Sequence, residues 1–131
     1  MIFKRKIYTK LKEWKENSKG TTALLIEGAR RIGKSTIVEE FAKNEYKSYI
    51  LIDFNDVSNF VLEAFNNHLN DLNTFFMMIS SEYNVELYSR ETLIIFDEVQ
   101  KFPKARKSIK KLVKDGRYDY IETGSLISIK E

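Results

Sequence analysis

The sequence contains no cysteine, one histidine and one proline among its 131 residues. Without cysteine there is no disulfide, no thiolate nucleophile and no cysteine-ligated metal. The histidine, His68, lies in the polar stretch NNHLN and is assigned no role. No apolar run is long enough to span a membrane, and the start lacks the apolar core and cleavage site of a signal peptide. We therefore expect a cytoplasmic protein of one domain with a modest core.

The charged residues are unevenly distributed, although the net charge is only +3. Residues 48–98 carry nine acids and one base, whereas residues 101–117 carry eight bases and one acid. On a helical wheel of residues 101–117, four apolar residues lie on one side and the bases on the other: Ala105, Ile109, Leu112 and Val113. This favours a solvated helix face. The alternative is a basic stripe that binds nucleic acid or an acidic partner surface.

The strongest local pattern is GARRIGKST, residues 28–36, which directly follows the apolar run TALLIE. It fits Gly, four residues, Gly-Lys-Ser/Thr, the pattern of a phosphate-binding loop. Glycines let the backbone curl round a polyphosphate with its N–H groups inward, and the next helix adds the positive end of its dipole. Lys34 supplies a cation for the β- and γ-phosphates, and the Ser35 hydroxyl is a ligand for Mg²⁺. The pattern predicts binding of a nucleoside triphosphate.

The context of this loop is the one that the pattern requires. A short apolar run over residues 22–26 predicts a buried parallel strand before it, and apolar residues at helical spacing follow it. We predict that the loop binds nucleotide through Gly28, Ala29, Arg30, Arg31, Ile32, Gly33, Lys34, Ser35 and Thr36. The two arginines have alternative interpretations: they add positive charge near the nucleotide, or they face outward.

Strands and helices alternate along the rest of the chain. Helices are predicted over residues 3–17, from the loop to about 44, over 57–66, over 71–83 with Asp71 as its cap, and from Pro103 to about 114. Further strands are predicted over residues 48–54, 92–96 and 118–122. The alternation predicts an α/β fold, an open parallel sheet with helices on both faces.

A second motif, TLIIFDE at residues 92–98, is an apolar strand that ends in two acids. At the carboxyl end of a strand beside the phosphate loop, Asp97 is placed to hold Mg²⁺ and Glu98 to position the attacking water. Because hydrolysis requires an ordered water, the second acid favours an ATPase over a nucleoside kinase. The next strand leads into Thr123-Gly124-Ser125, where Thr123 or Ser125 is a candidate to contact the γ-phosphate or the water; the alternative is ordinary turn chemistry.

GARRIGKST, LIIFDEVQKFPKA and IETGSL together resemble prokaryotic ATPases of the AAA+ superfamily with a GxRRxGK[ST] loop, a DExQxxP segment and a TGS motif. The resemblance implies a P-loop core over residues 21–131, after an amphipathic helix over residues 1–20. It implies ATP and Mg²⁺ as ligands, Asp97 and Glu98 as the paired acids, and the TGS segment as a sensor.

Relatives continue with another strand and helix, an interface arginine and a C-terminal domain, whereas this sequence stops at Glu131. The resemblance therefore implies the N-terminal part of an ATPase domain, truncated after the fourth strand, with the phosphate-loop strand left at an edge of the sheet. For the isolated chain we expect nucleotide binding with weak or negligible turnover. The alternative is a non-catalytic nucleotide-binding module, which self-associates through the open edge and the basic helix or docks on a missing C-terminal domain.

Overall fold

The computed structural model describes residues 2–28 and 34–125, with side chains from Arg5 onward. The helices are α1 (Ile2–Ser18), α2 (Lys34–Glu45), α3 (Asn59–Asn67), α4 (Leu72–Tyr83) and α5 (Pro103–Asp115). The strands are β1 (Leu24–Gly28), β2 (Ser48–Asp53), β3 (Thr92–Asp97) and β4 (Asp119–Ser125). A 3-10 turn, Val99–Lys101, follows β3.

The four strands form one parallel sheet in the order β1-β4-β3-β2. This confirms the predicted α/β fold. β3 lies inside the sheet, and the five residues from Thr92 to Phe96 are buried, as its unbroken apolar sequence predicts. Among the described residues β1 pairs only with β4, so β1 forms one edge of the sheet.

Helices cover both faces of the sheet, and alternate residues of β3 contact the two layers. Ile94 and Phe96 pack with buried side chains of α3, α4 and α5. Leu93 and Ile95 face the other way, into a cluster with α1 and α2 that includes Phe41. The period of two along a strand therefore divides one apolar run between two cores.

The ends of the helices follow the predicted local signals. Asp71 caps α4, because its carboxylate accepts hydrogen bonds from the Thr74 backbone N–H at 3.4 Å and the Thr74 hydroxyl at 2.8 Å. Pro103 begins α5, and Gly116 ends it in the left-handed conformation, with φ at 84°. Within residues 2–28 and 34–125, no helix combines the length and apolar character that crossing a membrane requires.

β4 is longer than its apolar sequence predicts. The expected strand ended at Glu122, with a turn as one interpretation of Thr123-Gly124-Ser125, but the strand continues to Ser125. Its last residues pair with β1, in register from Leu24 opposite Ile121 to Gly28 opposite Ser125. The polar segment TGS is therefore a strand because the neighbouring strand β1 forms hydrogen bonds with its backbone. The local sequence of TGS does not indicate this pairing.

Glu122 is a buried acid on the face of β4 that α5 covers. Its Oε1 atom has no hydrogen-bond partner within the described residues, and the nearest cation is the Arg106 guanidinium, 4.0 Å away and half-exposed. Burial raises the pKa of Glu122, and Arg106 offsets this only in part. The ionised carboxylate therefore costs folding free energy.

We expect Glu122→Gln to raise the free energy of unfolding by about 1 kcal/mol at pH 7. Below its ordinary pKa of 4.5 the carboxyl group is protonated in the folded and the unfolded state, so its burial costs no stability through ionisation. As pH rises from there through the raised pKa of the folded state, ionisation increasingly destabilises the fold. The gain should therefore disappear near pH 4, which urea unfolding at both pH values would measure. Exposed Glu91→Gln is the control, and an equal gain at both pH values would contradict the account.

Candidate functional site

The elements that carry the predicted motifs meet at the carboxyl edge of the sheet. β1 ends at Gly28, α2 begins at Lys34, and β3 ends at Asp97. Lys34 is only 3% exposed, and its Nζ lies 3.7 Å from Oε2 of Glu98. Lys34 and Glu98 are 64 residues apart in sequence, and the parallel topology brings them into one buried ion pair.

Part of the predicted phosphate loop lies outside the described residues: Ala29, Arg30, Arg31, Ile32 and Gly33. The residues on either side are described. Gly28 pairs with Ser125 across β1 and β4, and the first turn of α2 carries Ser35, partly buried, and Thr36, exposed. The strand and the helix that the pattern requires on its two sides are therefore present.

Thr123 supports the two acids. Its side chain is fully buried, and its hydroxyl donates to Oδ1 of Asp97 at 2.5 Å while it accepts the backbone N–H of Glu98 at 3.1 Å. The hydroxyl has one proton, and that proton is engaged by Asp97. Thr123 therefore orients Asp97 directly. Its contact with a phosphate stays a prediction, and so does that of Ser125, which is 3% exposed.

Glu98 has an unusual backbone for its residue type. Its φ and ψ are 56° and 50°, in the left-handed region that non-glycine residues rarely adopt. This conformation ends β3 and begins the 3-10 turn, and it leaves Glu98 only 7% exposed. Strained backbone of this kind is found preferentially at functional sites, where the surrounding structure stabilises it.

Gln100 was not predicted as a site residue, although the resemblance includes its position as the Gln of DExQ. Its Nε2 donates to Oε1 of Glu98 at 2.7 Å, and its Oε1 accepts the backbone N–H of Ser125 at 3.4 Å. The spacing of two residues in DEVQ is the only sequence signal for this contact. This signal is weak, because the side chain of a residue can contact the side chain two positions earlier only where the backbone between them turns. Here the left-handed conformation of Glu98 provides that turn.

Asp97 has a raised pKa, chiefly because its carboxyl group is partly withdrawn from water. Burial, with a smaller effect from the Asp53 and Glu98 carboxylates, raises the pKa of Asp97 above its ordinary value, and the Thr123 hydrogen bond and the Lys34 charge offset this in part. Asp53 lies opposite Asp97 in the β2–β3 register. Its Oδ1 also accepts the Asn55 backbone N–H at 2.9 Å, so Asp53, the last residue of β2, caps the turn that follows this strand.

The oxygen donors at this edge suit Mg²⁺, which prefers one or two protein oxygens together with water and phosphate. The Asp97 side chain is partly buried, and its Oδ1 atom accepts the hydrogen bond from Thr123. Ser35 lies in the first turn of α2, beside the ion-paired Lys34. Within residues 2–28 and 34–125, no three acidic or histidine side chains are close enough to form a metal site of their own. The hydroxyl of Ser35 and the carboxylate of Asp97 are oxygen donors of the kind that Mg²⁺ uses together with phosphate and water.

The basic segment 101–117 forms a separate surface on α5. Ala105 and Leu112 are buried, and Ile109 and Val113 are partly buried against the same core. The lysines point away from this core and are exposed: Lys101, Lys104, Lys107, Lys110, Lys111 and Lys114. This arrangement agrees with a solvated helix face, and nucleic-acid binding through it stays a prediction.

Comparison with known proteins agrees with this geometry. No curated protein matches the chain in sequence. The sequence model of a family described as AAA domain matches residues 20–131, which span the sheet, the described site residues and α2 to α5. The chain therefore belongs to the AAA domain family, an AAA-type ATPase family.

Proposed function

We propose that this chain binds MgATP at the carboxyl edge of its sheet and supplies the residues that hydrolyse it to ADP and phosphate, with weak turnover expected of the chain in isolation. The observation that carries the proposal is the group formed by Lys34, Asp97 and Glu98, which come from the start of α2 and the end of β3. A buried lysine from the phosphate-loop pattern beside two acids at the end of another parallel strand is the arrangement that P-loop ATP hydrolysis uses. Membership of an AAA-type ATPase family supports it.

Each residue has one task in this mechanism. Lys34 binds the β- and γ-phosphate oxygens, and Ser35 and Asp97 are the residues that would hold Mg²⁺. The metal, when bound, neutralises charge on these phosphates. Glu98 orients a water molecule and accepts its proton as the water oxygen bonds to the γ-phosphorus and the bond to ADP breaks. Thr123 keeps Asp97 in place through the hydrogen bond already described.

Replacement of Lys34 by alanine tests the binding site. Loss of a charge-assisted contact to phosphate is worth about 1.5–3 kcal/mol, so the dissociation constant of MgATP should rise about 10- to 150-fold. Titration calorimetry of the unaltered chain and the variant would measure this rise. Removal of Mg²⁺ with EDTA should also weaken binding by the unaltered chain.

Lys43→Ala is the matched control, because Lys43 is an exposed lysine on the same helix. It should bind MgATP as the unaltered chain does. Circular dichroism has to show that Lys34→Ala is folded, since the substitution leaves Glu98 buried without its ion-pair partner. Equal affinity in a folded Lys34→Ala variant would show that ATP does not bind at this loop.

A further inference from the structure

Gln100 connects the turn after β3 to the end of β4. Its amide N–H donates to Glu98 in the turn after β3, and its amide oxygen accepts the Ser125 backbone N–H at the end of β4. A glutamine amide is both donor and acceptor, and both functions are used here. One side chain therefore links the acid that faces Lys34 to the strand that carries the TGS segment.

Gly124 explains how the amide comes so close to β4. A Cβ atom on Gly124 would lie 3.1 Å from Oε1 of Gln100, tighter than an ordinary van der Waals contact. A larger residue at 124 would push the amide away from the strand. The glycine of the TGS segment therefore leaves the space that Gln100 occupies.

The Glu98 carboxylate is held through both of its oxygens. Oε1 accepts from Gln100 at 2.7 Å, and Oε2 lies 3.7 Å from Nζ of Lys34. A carboxylate held through both oxygens has little freedom to rotate, so the Gln100 and Lys34 contacts together fix its orientation. When phosphate replaces Glu98 as the partner of Lys34, the Gln100 contact is the one that remains.

We propose that Gln100 is a positioning residue that holds the Glu98 carboxylate in the orientation needed to activate water, and that it ties this orientation to the end of β4. The inference rests on the proposed function, because it gives Gln100 its role through Glu98. It makes Gln100 neither a ligand of ATP nor a ligand of the metal. Its substitution should therefore affect the chemical step and leave nucleotide binding nearly unchanged.

Two substitutions separate the donor from the acceptor of Gln100. Leucine has about the same size and neither group, whereas glutamate keeps the acceptor for Ser125 and replaces the donor to Glu98 by a negative charge. Misplacement of a catalytic group or loss of its supporting contact typically costs about 10- to 100-fold. We expect Gln100→Leu and Gln100→Glu both to lower kcat by about that factor, with KM and the MgATP dissociation constant within about threefold of the unaltered chain.

A double-variant cycle with Glu98→Ala tests whether Gln100 acts through Glu98. In the Glu98→Ala background, Gln100→Leu should cause no further loss of kcat, because the group that it positions is already absent. Single-turnover measurement with γ-labelled ATP and excess protein makes slow hydrolysis visible. Gly124→Ala, which displaces the amide from the other side, should lower kcat in the same direction.

The contact is also measurable without nucleotide. In urea unfolding of the nucleotide-free protein, the midpoint shifts of Gln100→Leu and Glu98→Ala should not add, because each removes the same hydrogen bond. Circular dichroism of each variant shows whether it is folded.

The outcomes are distinguishable. Full activity of Gln100→Glu, multiplicative losses of kcat in the cycle or additive midpoint shifts would overturn the inference and leave the proposed function intact. MgATP binding that does not depend on Lys34 would overturn the proposed function, and the inference with it. Lys34-dependent binding without any single turnover would overturn the inference together with the hydrolytic part of the proposal.

Discussion

Glu98→Gln is expected to lower kcat for ATP hydrolysis by about 100-fold or more, the usual contribution of a general base, with MgATP bound at least as tightly as by the unaltered chain. The amide cannot accept a proton from water, although its shape is the same. It also carries no charge, so Lys34 loses the carboxylate 3.7 Å away that would compete with phosphate. Binding and hydrolysis should therefore respond in different directions to one substitution.

Phosphate release gives kcat, and titration calorimetry with a non-hydrolysable ATP analogue gives the affinity. Glu40→Gln is the control, because Glu40 is an exposed acid on α2 and its substitution should change neither quantity. Hydrolysis at the unaltered rate by Glu98→Gln would remove Glu98 from the mechanism. Binding without hydrolysis by both proteins would favour the non-catalytic nucleotide-binding module.

Asp119→Ala is expected to lower the free energy of unfolding by about 2–3 kcal/mol, the largest effect on stability that we predict. Asp119 is 4% exposed and lies at the start of β4, the end of the sheet opposite the candidate site. Its carboxylate accepts the Tyr46 hydroxyl and the Arg90 guanidinium, each at 2.5 Å. Alanine would leave the buried Tyr46 hydroxyl without a partner and Arg90 without its counter-ion.

This network also holds the loop that follows α1. Arg90 donates to the backbone oxygen of Gly116 at 3.2 Å, and a Cβ atom on Gly20 would lie 2.6 Å from its guanidinium carbon. Gly20 has φ at 84°, which a side chain would strain. Loss of Asp119 therefore releases an arginine against which the chain after α1 packs.

Urea unfolding at pH 7 measures the effect of Asp119→Ala. Asp119→Asn should cost less, because the amide keeps the shape and can accept from the Tyr46 hydroxyl. Asp115→Ala is the control: Asp115 pairs with Arg117 near the surface, and such pairs are worth less than about 1 kcal/mol. A cost no larger for Asp119→Ala than for Asp115→Ala would show that the buried network contributes little.

The candidate site could be predicted in part because its residues stand in short patterns with a local physical basis. Lys34 follows from the phosphate-loop pattern, and Asp97 and Glu98 from an apolar strand that ends in acids. Both patterns need only a strand, a turn and a helix, whose signals are apolar periodicity, glycine and capping residues. The edge position of β1 among the described strands agrees with what the resemblance implies.

The contacts between these motifs could not be predicted, because they depend on positions that only the packed sheet determines. Thr123 was expected to meet a phosphate or to lie in a turn, and neither interpretation indicated that its hydroxyl binds Asp97 from the neighbouring strand. Gln100 reaches Glu98 only because Glu98 adopts a left-handed backbone after β3. Some of these hydrogen bonds join residues that are distant in sequence, and others depend on the backbone conformation of one residue. Neither kind produces a periodic pattern in the sequence.

The sequence by itself, which lacks cysteine and contains one complete phosphate-loop pattern, determined the fold class and the residue types available for chemistry. The periodicity of apolar residues and the positions of glycines influence the backbone within a few residues. They can therefore be recognised in the sequence without knowledge of the tertiary contacts. Only the tertiary structure decided which groups engage one another: Lys34 with Glu98, Thr123 with Asp97, and Asp119 with Arg90 and Tyr46. Burial is the physical reason, since a charge or hydroxyl withdrawn from water has to be stabilised by whichever partner the packed strands bring near it.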